Sequence, residues 1–427
     1  MRKLGLAVLL VAGAAWAEQR TITLREAVDL ALKQNPDIAL ARLDETKAGA
    51  AIRVMRDPFV PKIAVGSGLA YTSGIPMSIE GSTPSIIQAQ ASQSIINRQQ
   101  TNLVAEAREN ARGAAIDTAA KREAVVLRTA LVYLDAERTT RMAETARKQV
   151  DSLQRVAETV RLRVNDGREL PIEVKRAELN LARARQRQQA LESDQRYSGS
   201  LLASLLGLDT NQEIRVAVED RAPAPLAAGE EACAEAALAS SKEVRRLESA
   251  LTAKGFEVRA DRSAKLPRLE LVAQYALLGR YNNYQEFFAK FQRHNGEIGV
   301  SFQVPLFAGI AADAMAVQAE SESAKLRLEL QAARNRIAMD ARRLYQQAKN
   351  AESAQDVARL DLEVTRDQLS VLLAQMEEGR ASLKQVEEAR LAEDDKWLAF
   401  VESSYAVETA RLNLLHQTGE LVAALRP

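Results

Sequence analysis

The chain has 427 residues, with 58 Lys and Arg against 57 Asp and Glu and a formal charge of +1. That balance argues against the basic footprint of a nucleic-acid binder and against an acidic solvating tail. Aromatic residues are only 4% of the chain, while Ala, Leu, Glu, Arg and Gln abound, the composition of long helices and coiled coils more than of a thick globular core. Stability must then come from helix seams and from oligomerisation. Cys233 is the only cysteine, so no intramolecular disulfide forms, and its sulfur reads as a small buried apolar group.

Residues 1–17 read as a secretory signal: Arg2 and Lys3 are basic, residues 4–11 are apolar, and Ala15-Trp16-Ala17 is an A-x-A cleavage site that leaves Glu18 first. The apolar run is too short to span a bilayer, and no Cys follows the cleavage site to accept a lipid. A first helix opens at Thr23, with Glu26 at capping-box spacing, breaks at Asn35-Pro36, resumes to about Met55, and ends before Pro58 and Pro61.

The period then falls to two. Ile63, Val65, Leu69 and Tyr71 alternate with small or polar neighbours over residues 61–72, and a weaker alternation covers 85–95, with Ile87, Ala89 and Ala91 against Gln88, Gln90 and Ser92. Each segment is about ten residues, the length of a tilted transmembrane strand. A strand packed on a soluble core gives the same alternation. The polar stretch 73–83 between them reads as a loop.

From Arg98 to Val164 there is no Pro, and Gly113 is the only Gly. At 1.5 Å per residue this is a helix of roughly 100 Å. Met142, Ala146, Val150, Leu153, Val156, Val160 and Val164 form one apolar stripe. Asp166-Gly167-Arg168 is a tight turn into a second helix whose seam positions step 170, 174, 177, 181, 184, 188, 191, 195, 198, 202, 205, apolar apart from Gln188, Gln195 and Ser198. Alternating steps of four and three are heptad spacing, so the two helices form an antiparallel hairpin. A linker with Pro223 and Pro225 follows Gly207.

The second half repeats the first. A helix over about 230–263 stops before Pro267. Strands cover 267–277, with Leu269, Leu271, Ala273, Tyr275 and Leu277 on one face, and 297–305, with Ile298, Val300, Phe302 and Val304 on one face. The stretch 279–296 between them reads as a loop and carries five aromatics. A second long hairpin turns at Glu378-Gly379-Arg380. Pro61 and Pro267 lie 206 residues apart; Tyr133 and Tyr345, Gly167 and Gly379, and Gly207 and Gly419 all lie 212 apart. A repeat this long is a duplicated half-molecule and not a solenoid unit. The expected organisation is a signal (1–17), a first repeat (18–220) with its tip near 167, and a second repeat (221–427) with its tip near 379.

Three motifs add a resemblance. Thr23-Leu24-Arg25-Glu26-Ala27 through Ala31-Leu32-Lys33-Gln34-Asn35-Pro36 resembles the opening L-x-E-A-x-x-x-A-L-x-x-N-P of the TolC-like outer membrane efflux family. Val304-Pro305-Leu306-Phe307-Ala308-Gly309 resembles its P-L-F-x-G signature, and Leu205-Leu206-Gly207-Leu208 the L-L-G-L that closes its first half. The resemblance implies a mainly α protein with a membrane β-barrel part: a homotrimer in which each protomer gives four strands to one 12-stranded barrel and continues as a periplasmic α-helical tube. It implies a passive exit duct of a tripartite efflux or type I secretion system, set in outer membrane lipid and meeting a periplasmic adaptor and an inner-membrane transporter.

The chain departs from the family at several points. The first-half equivalent of P-L-F-x-G, Ser94-Ile95-Ile96-Asn97-Arg98, lacks Pro and Gly. Where the family often has Asp-Val after each tip glycine, this chain has Glu173-Val174 and Gln385-Val386; three residues after that acidic position come Arg176 and Glu388. Met376 and Ala381 replace the Tyr and Arg of a Tyr–Arg–Asp latch, so any lock at the closed end uses Arg168, Arg380, Glu377 or Glu378. The candidate gate is therefore Glu388, Gln385, Glu173, Arg168 and Arg380. The candidate adaptor contacts are Gly167, Gly379, Leu170 and Leu383.

No catalytic, cofactor or metal site is read. His294 and His416, the only histidines, lie on different elements, phosphate loops and nucleophile elbows are missing, and Asp394-Asp395 reads as a solvated pair. The rival to a channel is a periplasmic coiled-coil scaffold or adaptor that never enters a bilayer.

Overall fold

Thr23 stops the first strand and starts the first helix. Its hydroxyl accepts from the Glu26 amide at 3.3 Å, and the Glu26 carboxylate accepts from the Thr23 amide at 3.1 Å, so two otherwise orphaned donors are satisfied reciprocally. In the computed structural model, residues 20–68, 85–209, 214–219, 221, 229–278, 294–305 and 311–425 are described. The signal stretch, the loop 73–83, most of the loop 279–296 and Leu306 to Gly309 of the P-L-F-x-G element lie outside them. Contacts divide the chain into two compact units, each drawing on both sequence halves: Met1–Ala39, Lys121–Ser241 and Arg336–Pro427 in one, Leu40–Ala120 and Lys242–Asn335 in the other.

The chain runs β1 (Arg20–Ile22), α1 (Leu24–Gln34), α2 (Pro36–Arg56), β2 (Lys62–Gly68), β3 (Ser85–Ile96), α3 (Arg98–Asn165), α4 (Pro171–Leu205), β4 (Ile214–Val216), α5 (Glu230–Ser240), α6 (Lys242–Ser263), β5 (Arg268–Leu278), β6 (His294–Gln303), α7 (Ala311–Glu377), α8 (Leu383–Thr418) and α9 (Leu421–Leu425). No described helix is long and apolar enough to cross a membrane.

The first unit is helical apart from β1 and β4, which pair in parallel. Its core takes Leu24, Ala27, Val28, Ala31 and Leu32 from α1, Val126, Ala130, Tyr133 and Leu134 from α3, Leu202 and Leu206 at the end of α4, and Val401 and Tyr405 from α8. The α1 spacing of three and four is what one apolar helix face requires. The predicted α3 stripe is buried at 142, 146, 150, 153 and 160, and the α4 steps from 174 to 205 are all buried or half-buried.

Two of the resemblance motifs meet in this unit. Asn35 ends α1, donates to the Leu205 carbonyl at 2.9 Å, and accepts from the Asp37 amide at the start of α2. Beside it, Gly207 has φ +69°, and a Cβ there would stand 2.8 Å from the Gln34 carbonyl oxygen. The arrangement recurs in the second half, where a Cβ on Gly419 (φ +78°) would meet the Ser240 Cβ at 2.6 Å.

The second unit holds a four-stranded antiparallel sheet in the order β2-β3-β5-β6. Strands of the two sequence halves therefore pair directly, β3 with β5. Register aligns the alternations: Ile63, Ala91, Ala273 and Ile298 form one cross-strand row, and Ala64, Gln90, Gln274 and Glu297 form a row on the opposite face. β6 begins at His294, inside the stretch read as loop, and His294 Nδ1 lies 2.7 Å from the Tyr275 hydroxyl on β5. In the helical part of this unit Ser249 bonds the Glu109 carbonyl at 2.9 Å, Thr118 the Ala41 carbonyl at 3.1 Å, and Lys254 bridges Glu257 and Glu322 at 2.5 and 2.6 Å.

Candidate functional site: the two hairpin tips

Both tips are built by the same backbone device. At the end of α3 the Gly167 amide donates to the Val164 carbonyl at 3.0 Å and the Arg168 amide to the Arg163 carbonyl at 2.8 Å. At the end of α7 the Gly379 amide donates to Met376 and the Arg380 amide to Gln375, at 3.0 and 2.8 Å. This paired closure is a Schellman motif; it needs a left-handed residue, and the glycines supply φ +71° and +74°. Each tip then re-enters a helix within four residues.

The re-entries differ. α4 starts after Leu170, which is exposed and gives no side-chain cap; Pro171 presets the first helical φ. α8 starts after Ser382, whose hydroxyl accepts from the Gln385 amide at 3.4 Å while the Gln385 side chain accepts from the Ser382 amide at 2.9 Å. Gln385 is thus engaged in a capping box. The Ser-x-x-Gln spacing was visible in the sequence and is the signal for this role.

The charged candidates separate in the same way. Glu173 is held by Arg176 at 2.6 Å, one turn along α4. Arg168 is exposed, and Arg380 is paired with Glu378 beside it. Glu388 is exposed, 3.9 Å from Lys384, a surface pair worth at most about 0.5 kcal/mol. Leu383 is half-buried in a groove enclosing about 280 Å³, with Ser152, Arg155, Val156 and Thr159 of α3 and Glu387 and Arg390 of α8. Among the described residues, no hydrogen bond or ion pair joins the first-tip candidates to the second-tip candidates.

Two acids face this part of α3: Glu387, not singled out in the sequence, and Asp394. Burial pushes the Glu387 carboxyl up, and Arg390 at 3.6 Å pulls it back. Asp394, one heptad further, is also pushed up, by burial first and then by Glu393 and Asp395, while Gln149 of α3 bonds it. The expectation of a solvated Asp394-Asp395 pair holds for Asp395, which meets Arg187 of α4 at 2.9 Å. It fails for Asp394, which the helix turns toward α3. Their heptad spacing with Leu383 and Leu391 could have signalled a buried face. Leu391 packs with Val150, Leu153, Leu181 and Ala184, so α3, α4 and α8 share a seam behind the tips.

Among the described residues no group of three or more His, Cys, Asp or Glu side chains is arranged to hold a metal ion. The chain is 17% identical to the Campylobacter jejuni CmeC outer membrane channel, with a TM-score of 0.78 over 93% of this chain and 86% of that one. The Vibrio cholerae outer membrane protein VceC is 15% identical with a TM-score of 0.75, over 93% and 96%. The open state of the Neisseria gonorrhoeae MtrE outer membrane channel is 14% identical with a TM-score of 0.75, over 93% and 89%. These likenesses establish the fold. The model of the outer membrane efflux protein family matches residues 27–208 and 233–420. The chain belongs to the outer membrane efflux protein family. No curated protein matches it in sequence. As a member it is an outer membrane efflux duct that extends into the periplasm, and its family and fold are those of channel proteins.

Proposed function

We propose that this efflux protein works as a homotrimer in which three four-stranded sheets close one 12-stranded barrel. One observation carries the reading. The sheet ends in β2 and β6, neither of which has an outer partner among the described residues, and it presents an exposed apolar face with Ile63, Val65, Ile298, Val300 and Phe302. Exposed sheet edges and a broad apolar patch both require a cover. Four strands alternating in direction leave β2 and β6 antiparallel to each other. Copies can therefore join β6 to β2 in an antiparallel ring, with lipid covering the apolar face.

The same reading makes the chain a duplicated half-molecule (18–220 and 221–427) behind a cleaved signal. The four left-handed glycines among the described residues support it, since they fall into two pairs 212 residues apart, each closing a helix in the same way. The tips, with Gly167, Leu170, Gly379 and Leu383, are the contacts for a periplasmic adaptor that hands on cargo from an inner-membrane transporter. Glu388, Glu173, Arg168 and Arg380 set the charge at the inner end, and Gln385 fixes the start of α8. The protein conducts and does not catalyse. Cell fractionation and mass measurement in detergent test this: a trimer extracted from the outer membrane is expected, and a monomer in the soluble periplasm would favour a scaffold instead.

A further inference from the structure

Away from the tips, the first unit buries a charge cluster. Glu137 of α3 is fully buried. Its carboxylate accepts from the Glu219 amide at 3.2 Å, from Arg141 at 3.4 Å, from the Arg221 guanidinium, and from the Tyr405 hydroxyl. Arg221 also meets Glu219 at 3.2 Å and Glu408 of α8 at 3.4 Å, and lies over the Tyr133 ring at 5.7 Å. One turn before Glu137, the Tyr133 hydroxyl donates to the Ala217 carbonyl at 2.8 Å. Residues 217–221 connect the two sequence halves, so a single arginine in that connection ties α3 of the first half to α8 of the second.

The cluster is not part of the repeat. Lys349 stands 212 residues after Glu137, and Arg196 stands 212 before Glu408. Both charges are reversed at the equivalent positions, as expected if the cluster serves a connection that occurs once per chain.

We propose that the Arg221 cluster is a proton-tuned clasp on the inter-half connection, tightened when Glu408 takes up a proton. Three carboxylates, Glu137, Glu219 and Glu408, face two guanidinium groups, Arg141 and Arg221, around a cavity of about 270 Å³. Tyr133 and Tyr405 complete the titratable groups on α3 and α8. The α7 side offers neutral Gln355, and Glu352 on that helix is engaged by Arg411 at 2.5 Å. One negative charge is in excess, and Glu408 competes with Glu137 for the same guanidinium nitrogen. Protonating Glu408 removes the excess and leaves Arg221 to Glu137 and Glu219.

Burial foremost pushes the Glu408 carboxyl up; Arg221 pulls it back and Glu137 pushes it further. Burial likewise raises both tyrosine hydroxyls, which stay neutral. A carboxyl raised in the clasped state binds its proton more tightly there, so proton uptake favours the clasp, and that gain is lost as pH rises through the folded pKa.

Amide hydrogen exchange of the Glu219 N–H, which reports its bond to Glu137, tests the clasp on the full chain in detergent. Between about pH 8 and about pH 5.5 its protection factor, corrected for intrinsic exchange, is expected to rise severalfold. Glu408→Gln is expected to hold high protection at both values, and Arg221→Met to lose it at both. Equal wild-type protection at the two values, or a Glu408→Gln protein that keeps the wild-type pH dependence, would overturn the proposal. Should Arg221→Met fail to fold, the Glu408→Gln comparison decides alone. The readout is independent of conduction, so the clasp and the channel reading fail separately.

Discussion

At the residue scale, the four left-handed glycines among the described residues divide by surroundings. Gly167 and Gly379 have open space where a Cβ would sit, whereas Gly207 and Gly419 press on Gln34 and Ser240. Gly167→Ala is therefore expected to cost only the backbone term, about 1 kcal/mol. Gly207→Ala adds a clash with backbone oxygen that no side-chain rotation relieves, and about 3 kcal/mol or more is expected. Urea unfolding of the two variants checks the difference. Glu388 poses another residue-level question. It is exposed and only loosely paired to Lys384, so three copies near one axis would concentrate negative charge in a narrow passage. Glu388→Ala is expected to lower cation preference in planar bilayers at low salt, with a modest change in conductance. Unchanged selectivity would place Glu388 on an outer solvated face. The acids at 173 and 388 were visible in the sequence; Glu387 was not, because its burial depends on where α8 meets α3.

At the element scale, the sheet carries its amphipathicity across strands. The apolar row through Ile63, Ala91, Ala273 and Ile298 backs a polar row through Ala64, Gln90, Gln274 and Glu297. If lipid meets the apolar face, Val300→Lys should oppose insertion by about 2–4 kcal/mol at mid-membrane depth, while Gln274→Lys on the other face should be tolerated. Quantifying each variant in outer-membrane fractions checks this, and equal yields would count against a lipid-facing row. Period-two alternation made the strands legible one by one. Their order was not legible, because β3 and β5 are separated by α3, α4, β4, α5 and α6, and nothing local to either strand names its partner. The helix breaks are the opposite case. Asn35-Pro36, Gly167 and Gly379 act through their own dihedrals and nearest hydrogen bonds, so sequence alone placed them.

At the scale of the whole molecule, the sheet's open edges make an assembly prediction. In a Cys233→Ser background, single cysteines scanned along β2 and combined with singles along β6 should form disulfides between copies under oxidation. The products should run as a ladder ending at a trimer on a non-reducing gel, and monomer alone at every pair would argue against a ring of sheets. The sequence by itself determined the helix and strand types and the hairpin turns, since each rests on periodicity or on a local backbone requirement. It also carried the resemblance to the family, through short motifs in a fixed order. Only the tertiary structure decided that Asn35 reaches Leu205, that Gly207 rests on Gln34, that strands of the two halves pair, and that Glu137 is buried under Arg221. Each of these joins residues at least 84 positions apart. Such pairs are fixed by which surfaces the whole chain buries together, a choice that no local pattern encodes.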